Sequence, residues 1–352
     1  PSGGQKQGTV YDSCLNIPVT VHLDKLVNGW EGATLYGNAL WIAGRSLSSD
    51  YTGDLGGVSN ISGKDTVRVQ ELWYEQAFGW RAMSLRIGLL DADAEFFTSD
   101  TASLFMNGTF GAFTLLGANF PNPPIYPMAA PGCRLAVEPI KNFYVQAGFF
   151  AGDSGTQTEN LNGLNYHLNA ADGVQIYSEI GWRLNHEKDA TGLIGVYKLG
   201  SFVDTMNFHN QVSGASAGPN YGIYGVADQE LYHYESKKVS AFIRGGGSPG
   251  DINVVDWYLD GGFNFTGFIP GRPEDVAGVA VARSWISSDY SAAQVASGAS
   301  PYFGETVIEA TWRTKILSWW TLQPDFQYIF SPSGQESAAN ATVIGLRTTV
   351  VF

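Results

Sequence analysis

Apolar and polar residues alternate with a period of two along most of this chain. In the last twelve residues, ATVIGLRTTVVF, the positions from Thr342 to Phe352 that share one face are apolar or threonine, and Arg347 lies on the other face. Side chains on a β-strand point alternately to its two faces, so this period predicts a strand with one apolar face. The segments between such stretches show no helical pattern. The chain is therefore predicted to be all-β.

The alternation predicts fifteen strands. They cover residues 7–23, 31–43, 66–78, 82–90, 131–138, 142–151, 172–184, 192–203, 220–235, 238–247, 253–267, 275–287, 302–314, 319–330 and 340–352. A soluble β-sandwich would also alternate, so the pattern within one strand does not by itself distinguish a sandwich from a membrane barrel.

The lengths of the links between strands do distinguish the two. Long links at 44–65, 91–130, 152–171, 204–219, 287–301 and 331–340 mostly alternate with short ones, such as 79–81 and 139–142. Outer-membrane barrels have long extracellular loops and short periplasmic turns. We therefore expect residues 1–352 to form a single domain, a transmembrane antiparallel up-and-down β-barrel.

Composition and charge exclude several classes of protein. The chain has 43 glycines, 10 Trp, 17 Tyr and 20 Phe, only 15% charged residues, and a net charge of -13. The negative charge disfavours nucleic acid as a partner, and the chain has no apolar run long enough for a membrane helix. The five histidines, at positions 22, 167, 186, 209 and 233, lack metal-ligand spacing, so neither a metal nor another cofactor is expected.

Long blocks of the sequence resemble the carbohydrate-selective porin (OprB) family. They are GTVYDSCL, GATLYGNALWIAGRSLS, ELWYEQAF, SLRIGLLDADAEFF, ASLFMNGTFG, YGIYGVADQELY, PGDINVVDWYLDGG, GFIPGRPED, WWTLQPDFQYIF and GLRTTVVF, and they span nearly the whole chain. The resemblance implies a sixteen-stranded barrel in the cell outer membrane of a Gram-negative bacterium. It also implies diffusion of neutral sugars, monosaccharides and small oligosaccharides, into the periplasm.

The fifteen strands counted are one fewer than the sixteen that the resemblance implies. An odd number would leave the two chain ends on opposite sides of the membrane, and bacterial barrels have even numbers of strands. The opening residues PSGGQKQGTVYD resemble the part of the family pattern where an extracellular turn precedes the second strand. The first strand is therefore expected to be missing from this sequence.

Strand parity predicts which polar side chains line the lumen. It points Glu71, Trp73 and Glu75 inward on one strand and Arg86 inward on the next, with Glu75 roughly opposite Arg86. Arg134 and Arg244 are also predicted to face inward. Arginines and carboxylates together donate and accept hydrogen bonds, which suits vicinal hydroxyls. The alternative is that these charges pair with each other and only hold the barrel wall rigid.

The link at about 91–130 is too long for an ordinary loop and carries many aromatic residues. Asp91, Asp93, Glu95 and Phe96 lie at its start. Apolar residues avoid water, so the link is expected to fold into the barrel and constrict it near Glu75, Arg86 and Arg134. An aromatic ring there could stack on a sugar, or could simply anchor the loop.

Other functions and partners follow from single features. An outer-membrane hydrolase is a rival class, although no Ser and His pair stands out on neighbouring inward positions, and a structural or adhesion barrel is a third.

Phe352 resembles the terminal signal that the barrel-insertion machinery recognises, and outer-membrane lipid and lipopolysaccharide are expected around the barrel. Cys14 and Cys133 fall on opposite faces, inward and outward, and are predicted to be unpaired.

Overall fold

The computed structural model describes residues 1–79, 82–166 and 168–352. These residues form sixteen strands in one antiparallel sheet, in which consecutive strands from β2 to β16 are neighbours and β1 pairs with β16. The predicted all-β, up-and-down fold is thus confirmed. No helix among these residues is long and apolar enough to cross a membrane.

Fifteen of the strands are long and correspond one by one to the predicted ones. The strands are β1 (Ser2–Gly3), β2 (Asp12–His22), β3 (Ala33–Gly44), β4 (Thr66–Phe78), β5 (Met83–Leu90), β6 (Ala130–Ile140), β7 (Phe143–Ala151), β8 (Val174–Leu184), β9 (Gly195–His209), β10 (Ser216–Tyr234), β11 (Lys237–Gly247), β12 (Val255–Thr266), β13 (Val276–Ile286), β14 (Gly304–Leu317), β15 (Trp320–Phe330) and β16 (Ala341–Val350).

The sixteenth strand is the two-residue β1, which the alternation did not reveal. Ser2 pairs with Thr342 and Gly3 with Ala341, at the start of β16. In the order of the sheet, β1 and β2 stand at the two ends. A cavity of about 560 Å³ is lined by residues of both β2 and β16, including Cys14 and Arg347.

Exposure follows the predicted parity on strands such as β13. On β13, Val279 and Val281 are 48% and 47% exposed, whereas Ala280 and Ala282 are 6% and 2% exposed. Both thiols are free, and they lie on opposite faces as predicted. Cys14 accepts a hydrogen bond from the hydroxyl of Tyr126, a residue of the link inside the barrel, at 3.6 Å. Cys133 pairs in register with outward-facing Ile87 and Phe149.

Two expectations about the links were wrong. The link predicted at 204–219 is shorter, because β9 continues to His209 and β10 begins at Ser216. The Asn207 side chain supports this extension by accepting hydrogen bonds from the Ser216 hydroxyl at 2.7 Å and the Gly218 amide at 3.1 Å. Among the described residues, two links also contain α-helices, α1 (Thr114–Asn119) and α2 (Ser288–Ala296). Part of the predicted turn at 79–81, Trp80 and Arg81, and also His167 lie outside the described residues.

The apolar core lies inside the barrel. Aromatic rings of the link between β5 and β6 pack there on inward-facing rings of the wall, as Phe97 and Phe113 do on Tyr224, with ring centroids 5.7 Å apart in each pair. Phe113 also packs on Tyr258, at 5.2 Å. We call residues 91–129 the inner loop. Its backbone bonds to inward-facing side chains of β8, β11 and β14, and Glu95 at its start pairs with arginines of β5 and β6.

Candidate pore constriction

Four charged side chains form a ring where the start of the inner loop meets the wall. Glu75 on β4, Arg86 on β5 and Arg134 on β6 come from three neighbouring strands, and Glu95 comes from the inner loop. Arg86 contacts Glu75 at 2.7 Å and also pairs with Glu95. Arg134 contacts the same two carboxylates, at 2.9 and 3.0 Å. The ring therefore alternates in sign and has no net charge.

Strand register places three of the four residues. Arg86 lies directly opposite Glu75 on one side, as predicted, and directly opposite Arg134 on the other. Like charges in direct cross-strand positions repel each other. Both carboxylates bridge the two arginines, so the repulsion is compensated, and Glu95 thereby ties the inner loop to the wall.

An aromatic stack continues from this ring along the wall. The guanidinium carbon of Arg86 lies 3.7 Å from the centre of the Trp73 ring, which is a cation–π geometry. Trp73 stacks in turn on Tyr36 of β3, with ring centroids 4.8 Å apart and planes at 23°. The indole nitrogen of Trp73 donates to Glu71 at 3.2 Å. Tyr36 was not predicted as a site residue, although strand parity and its register with Trp73 could have revealed it.

Two cavities lie beside the inner loop. One of about 760 Å³ is lined by residues of the long links, including Asp54, Asp93 and Tyr126. Another of about 440 Å³ is lined by Glu95, Arg134 and side chains of the short-link side, such as Arg183. Two of the four ring residues, Glu95 and Arg134, thus line the second cavity.

Comparison with known proteins identifies the family. The model of the carbohydrate-selective porin, OprB family, matches residues 6–352. This chain belongs to that family. The curated Porin B of Pseudomonas aeruginosa is 25% identical over 371 residues, covering 94% of this chain and 80% of that protein.

Solved structures agree with the fold. The high-pH structure of Pseudomonas putida OprB aligns with a TM-score of 0.89 at 23% identity, covering 100% of this chain and 91% of that chain. The outer membrane channel DcaP of Acinetobacter baumannii aligns with a TM-score of 0.58 at 10% identity, covering 96% of this chain and 85% of that chain. The protein is accordingly a carbohydrate-selective channel of the Gram-negative outer membrane and not an enzyme.

In this OprB-family chain, inward-facing wall residues hold the inner loop through its backbone. Glu179 of β8 accepts from the Phe97 amide at 2.9 Å. Glu309 of β14 accepts from the amides of Met106 and Asn107, at 2.6 and 2.9 Å. Carboxylates that accept backbone amides position a chain segment firmly. Parity reveals that these acids face inward, but it does not reveal which backbone they hold.

Arg244 belongs to the same set of anchors and lies away from the ring of four charges. Its side chain is 1% exposed, and its Nε lies 3.1 Å from each carboxylate oxygen of Asp260. It also donates to the carbonyls of Gly111 at 2.9 Å and Thr109 at 3.2 Å. Arg244 therefore joins β11 to the inner loop.

The remaining predicted site residues lie at the root of the inner loop. Phe96 is completely buried, with its ring against Phe150 and Tyr177. Asp91 is 2% exposed, accepts from the Gln70 amide group at 2.7 Å and accepts from the Asp93 backbone at 3.2 Å.

Burial raises the pKa of Asp91 well above its usual range, and the neighbouring charge of Asp93 adds to the shift. The Gln70 donor on β4 nevertheless keeps the loop root attached to the wall. Among the His, Cys, Asp and Glu residues that the structure describes, no three are placed to hold a metal ion.

Proposed function

We propose that this chain lets neutral sugars, monosaccharides and small oligosaccharides, diffuse across the outer membrane into the periplasm, and that they pass the ring of Glu75, Arg86, Glu95 and Arg134. The observation that carries the proposal is the ring itself. Two arginines and two carboxylates in mutual contact give a cluster that is highly polar but has no net charge.

The chemistry of the ring suits hydroxyl groups better than ions. Arginine presents several donors in a fixed plane, and a carboxylate presents acceptors only. A sugar hydroxyl both donates and accepts, so adjacent hydroxyls can bridge an arginine and a carboxylate. An ion would interact with one sign and be repelled by the other. The side chains of Arg86 and Glu75 remain 17% and 23% exposed, so each keeps a surface for a solute.

The stack of Tyr36, Trp73 and Arg86 supports the same assignment. A sugar ring has an apolar face of C–H groups as well as its hydroxyls. The exposed surface of an aromatic residue beside a polar ring offers both kinds of contact at one place. Trp73 is only partly buried and thus available to a solute.

The family's outer-membrane setting supports two further partners. The outward face of β16 carries Ile344 and Leu346, which are 83% and 68% exposed, and lipid would cover this surface. Phe352 is fully exposed after the end of β16, and we propose that the barrel-insertion machinery recognises it together with that apolar strand face.

Liposome swelling with solutes of graded size and charge tests the proposed permeation. We expect glucose and short maltodextrins to enter faster than phosphate or charged amino acids of similar size. The two variants to compare are Glu95→Gln in the ring and Arg45→Gln outside it, because Arg45 is an exposed arginine that pairs with Asp50 of a long link. Only Glu95→Gln should change the ranking of solutes. Equal entry of sugars and phosphate in the unaltered protein would refute the proposal.

A further inference from the structure

The outward surface of the barrel carries an apolar groove on its long-loop side. The groove has a volume of about 930 Å³ and is lined by outward-facing residues of β9–β13, together with one face of α2. Its floor is formed by glycines. Gly225 and Gly245 are direct cross-strand partners, and Gly247 lies two residues further along β11.

The depression has a simple cause in the sequence. Leu199, Gly225, Gly245 and Leu259 follow one another across four strands in a single row of the ladder. In the middle of this row the wall lacks side chains, whereas leucines stand on both sides. Ser291 and Val295 of α2, among others, complete the upper lining.

The next residue in that row is charged. Arg283 of β13 pairs in register with Leu259 and with Thr306. Its guanidinium donates to the Thr306 hydroxyl at 2.7 Å and lies 5.3 Å from the centre of the Trp285 ring. In the part of the chain that the structure describes, no carboxylate is within ion-pair distance of it. A cation on the lipid-facing wall is costly unless it reaches an interfacial or anionic partner.

A second polar group lies at the upper end of the groove. Asp256 is at the irregularity of the β12–β13 ladder between Val255 and Trp257, and it contributes to the lining. Its Oδ1 is buried without a hydrogen-bond donor among the described residues. A buried oxygen is not within reach of a lipid headgroup, so Asp256 only marks the upper end of the groove.

We propose that the groove binds one anionic phospholipid of the membrane around the barrel. An acyl chain lies over Gly225 and Gly245, and the phosphate pairs with Arg283. The apolar, glycine-floored groove accounts for the chain, and the uncompensated arginine accounts for the negative charge. The inference does not depend on which solute the channel passes.

The test uses phosphatidylcholine vesicles that contain a small fraction of lipid with brominated acyl chains, which quench nearby tryptophans. The signal is the fluorescence quenching of Trp257 and Trp285. It is obtained by subtracting the quenching measured in the double variant Trp257→Phe/Trp285→Phe from that measured in the unaltered protein. Attraction between one arginine and an anionic lipid corresponds to about a fivefold preference. Brominated phosphatidylglycerol should therefore quench at about one-fifth of the concentration that brominated phosphatidylcholine requires.

Two variants remove the two halves of the site. Arg283→Gln should abolish the preference for phosphatidylglycerol, and Arg283→Lys should restore most of it. Gly225→Leu should also abolish the preference, because its side chain fills the groove. A Cβ at Gly225 would meet only the Lys198 carbonyl, at 3.7 Å, so the barrel should still fold, which heat-modifiable gel migration would verify.

The control is Gly37→Leu on β3, another strand glycine where a Cβ would meet only the side chain of Leu72, at 3.5 Å. It should keep the preference. Equal quenching by the two lipids in the unaltered protein would overturn the proposal, as would a preference that survives Arg283→Gln or Gly225→Leu. Loss of quenching at high protein density, with a cross-linked dimer, would show that a second copy covers the groove and would also overturn it.

Discussion

Arg86 and Arg134 face each other directly across β5 and β6, and each of them contacts both Glu75 and Glu95. Two neighbouring strands thus place like charges side by side, and one carboxylate from the wall and one from the inner loop compensate them. The electrostatics of the ring depend on the loop being in position. Residues that hold the loop therefore influence the proposed sugar path without touching a solute.

Replacing Glu95 by Gln should make the channel wider and more selective for anions. The ring then carries two arginines and one carboxylate, and the loop loses its charged contacts to the wall. Inward substitutions change selectivity more than stability, so the barrel should still fold. Single-channel conductance should rise, and the reversal potential in a KCl gradient should shift toward chloride.

The control for this prediction is Glu187→Gln. Glu187 is an exposed carboxylate of a short link that pairs with Lys141. This variant removes the same charge from the protein but leaves the ring intact, so its conductance and reversal potential should match those of the unaltered channel. The same values in Glu95→Gln would show that the narrow point lies elsewhere.

Replacing Trp73 by Leu should weaken block of the ion current by sugars. Arg86 loses a cation–π contact worth about 1 kcal/mol, and the solute loses an aromatic surface. We expect the concentration of maltotriose for half-maximal block to rise about fivefold. Trp319→Leu is the matched control, because Trp319 is a half-exposed tryptophan in the turn before β15. If both substitutions changed sugar block equally, Trp73 would not line the sugar path.

Arg244 and Asp260 should stabilise the protein because each neutralises the buried charge of the other. Arg244→Met leaves the Asp260 carboxylate buried and unpaired, which costs about 3–5 kcal/mol. Replacing both residues by apolar ones should recover much of this loss. Guanidinium unfolding of the protein refolded into detergent measures the free energies, and limited proteolysis of the inner loop shows whether Arg244→Met releases it. A double variant no more stable than Arg244→Met would contradict this account.

Asp91 should make the protein less stable at higher pH. Its pKa is higher in the folded state than in the unfolded chain, so the folded state binds the proton more tightly. The stability that the protonated group contributes is complete below the unfolded pKa, about 4, and is lost as the pH rises through the folded pKa. Asp91→Asn should therefore unfold at a higher temperature than the unaltered protein at alkaline pH, and this difference should shrink as the pH approaches about 4. A difference that does not change with pH would argue against ionisation of Asp91.

The two cysteines should differ in their reaction with a polar thiol reagent in intact outer membranes. Cys14 faces the lumen beside Tyr126, whereas Cys133 faces lipid between Ile87 and Phe149. A bulky charged maleimide should label Cys14 and leave Cys133 unmodified, as mass spectrometry of the separated peptides would show. Labelling of Cys133 alone would reverse the assigned faces of β2 and β6.

The sequence by itself determined the wall of the channel. A period of two fixes which face each residue occupies, and a tight connection fixes the register of the next strand. Both rules act between near neighbours along the chain, so they predicted the fifteen long strands, the separation of Arg347 from the apolar face of β16 and the pairing of Glu75 with Arg86. They missed β1, because two residues are too few for a period.

Only the tertiary structure decided the path of the inner loop and the completion of the ring. Glu95 meets Arg134 across 39 residues, and Met106 meets Glu309 across 203 residues. The inner loop has no repeating period, so its contacts depend on which inward-facing acceptors lie within reach after the barrel has formed. The same reason explains the different places of the three arginines. Parity predicts that all three face inward. Arg86 and Arg134 belong to the ring that the proposed sugar path passes, whereas Arg244 is buried beneath the inner loop.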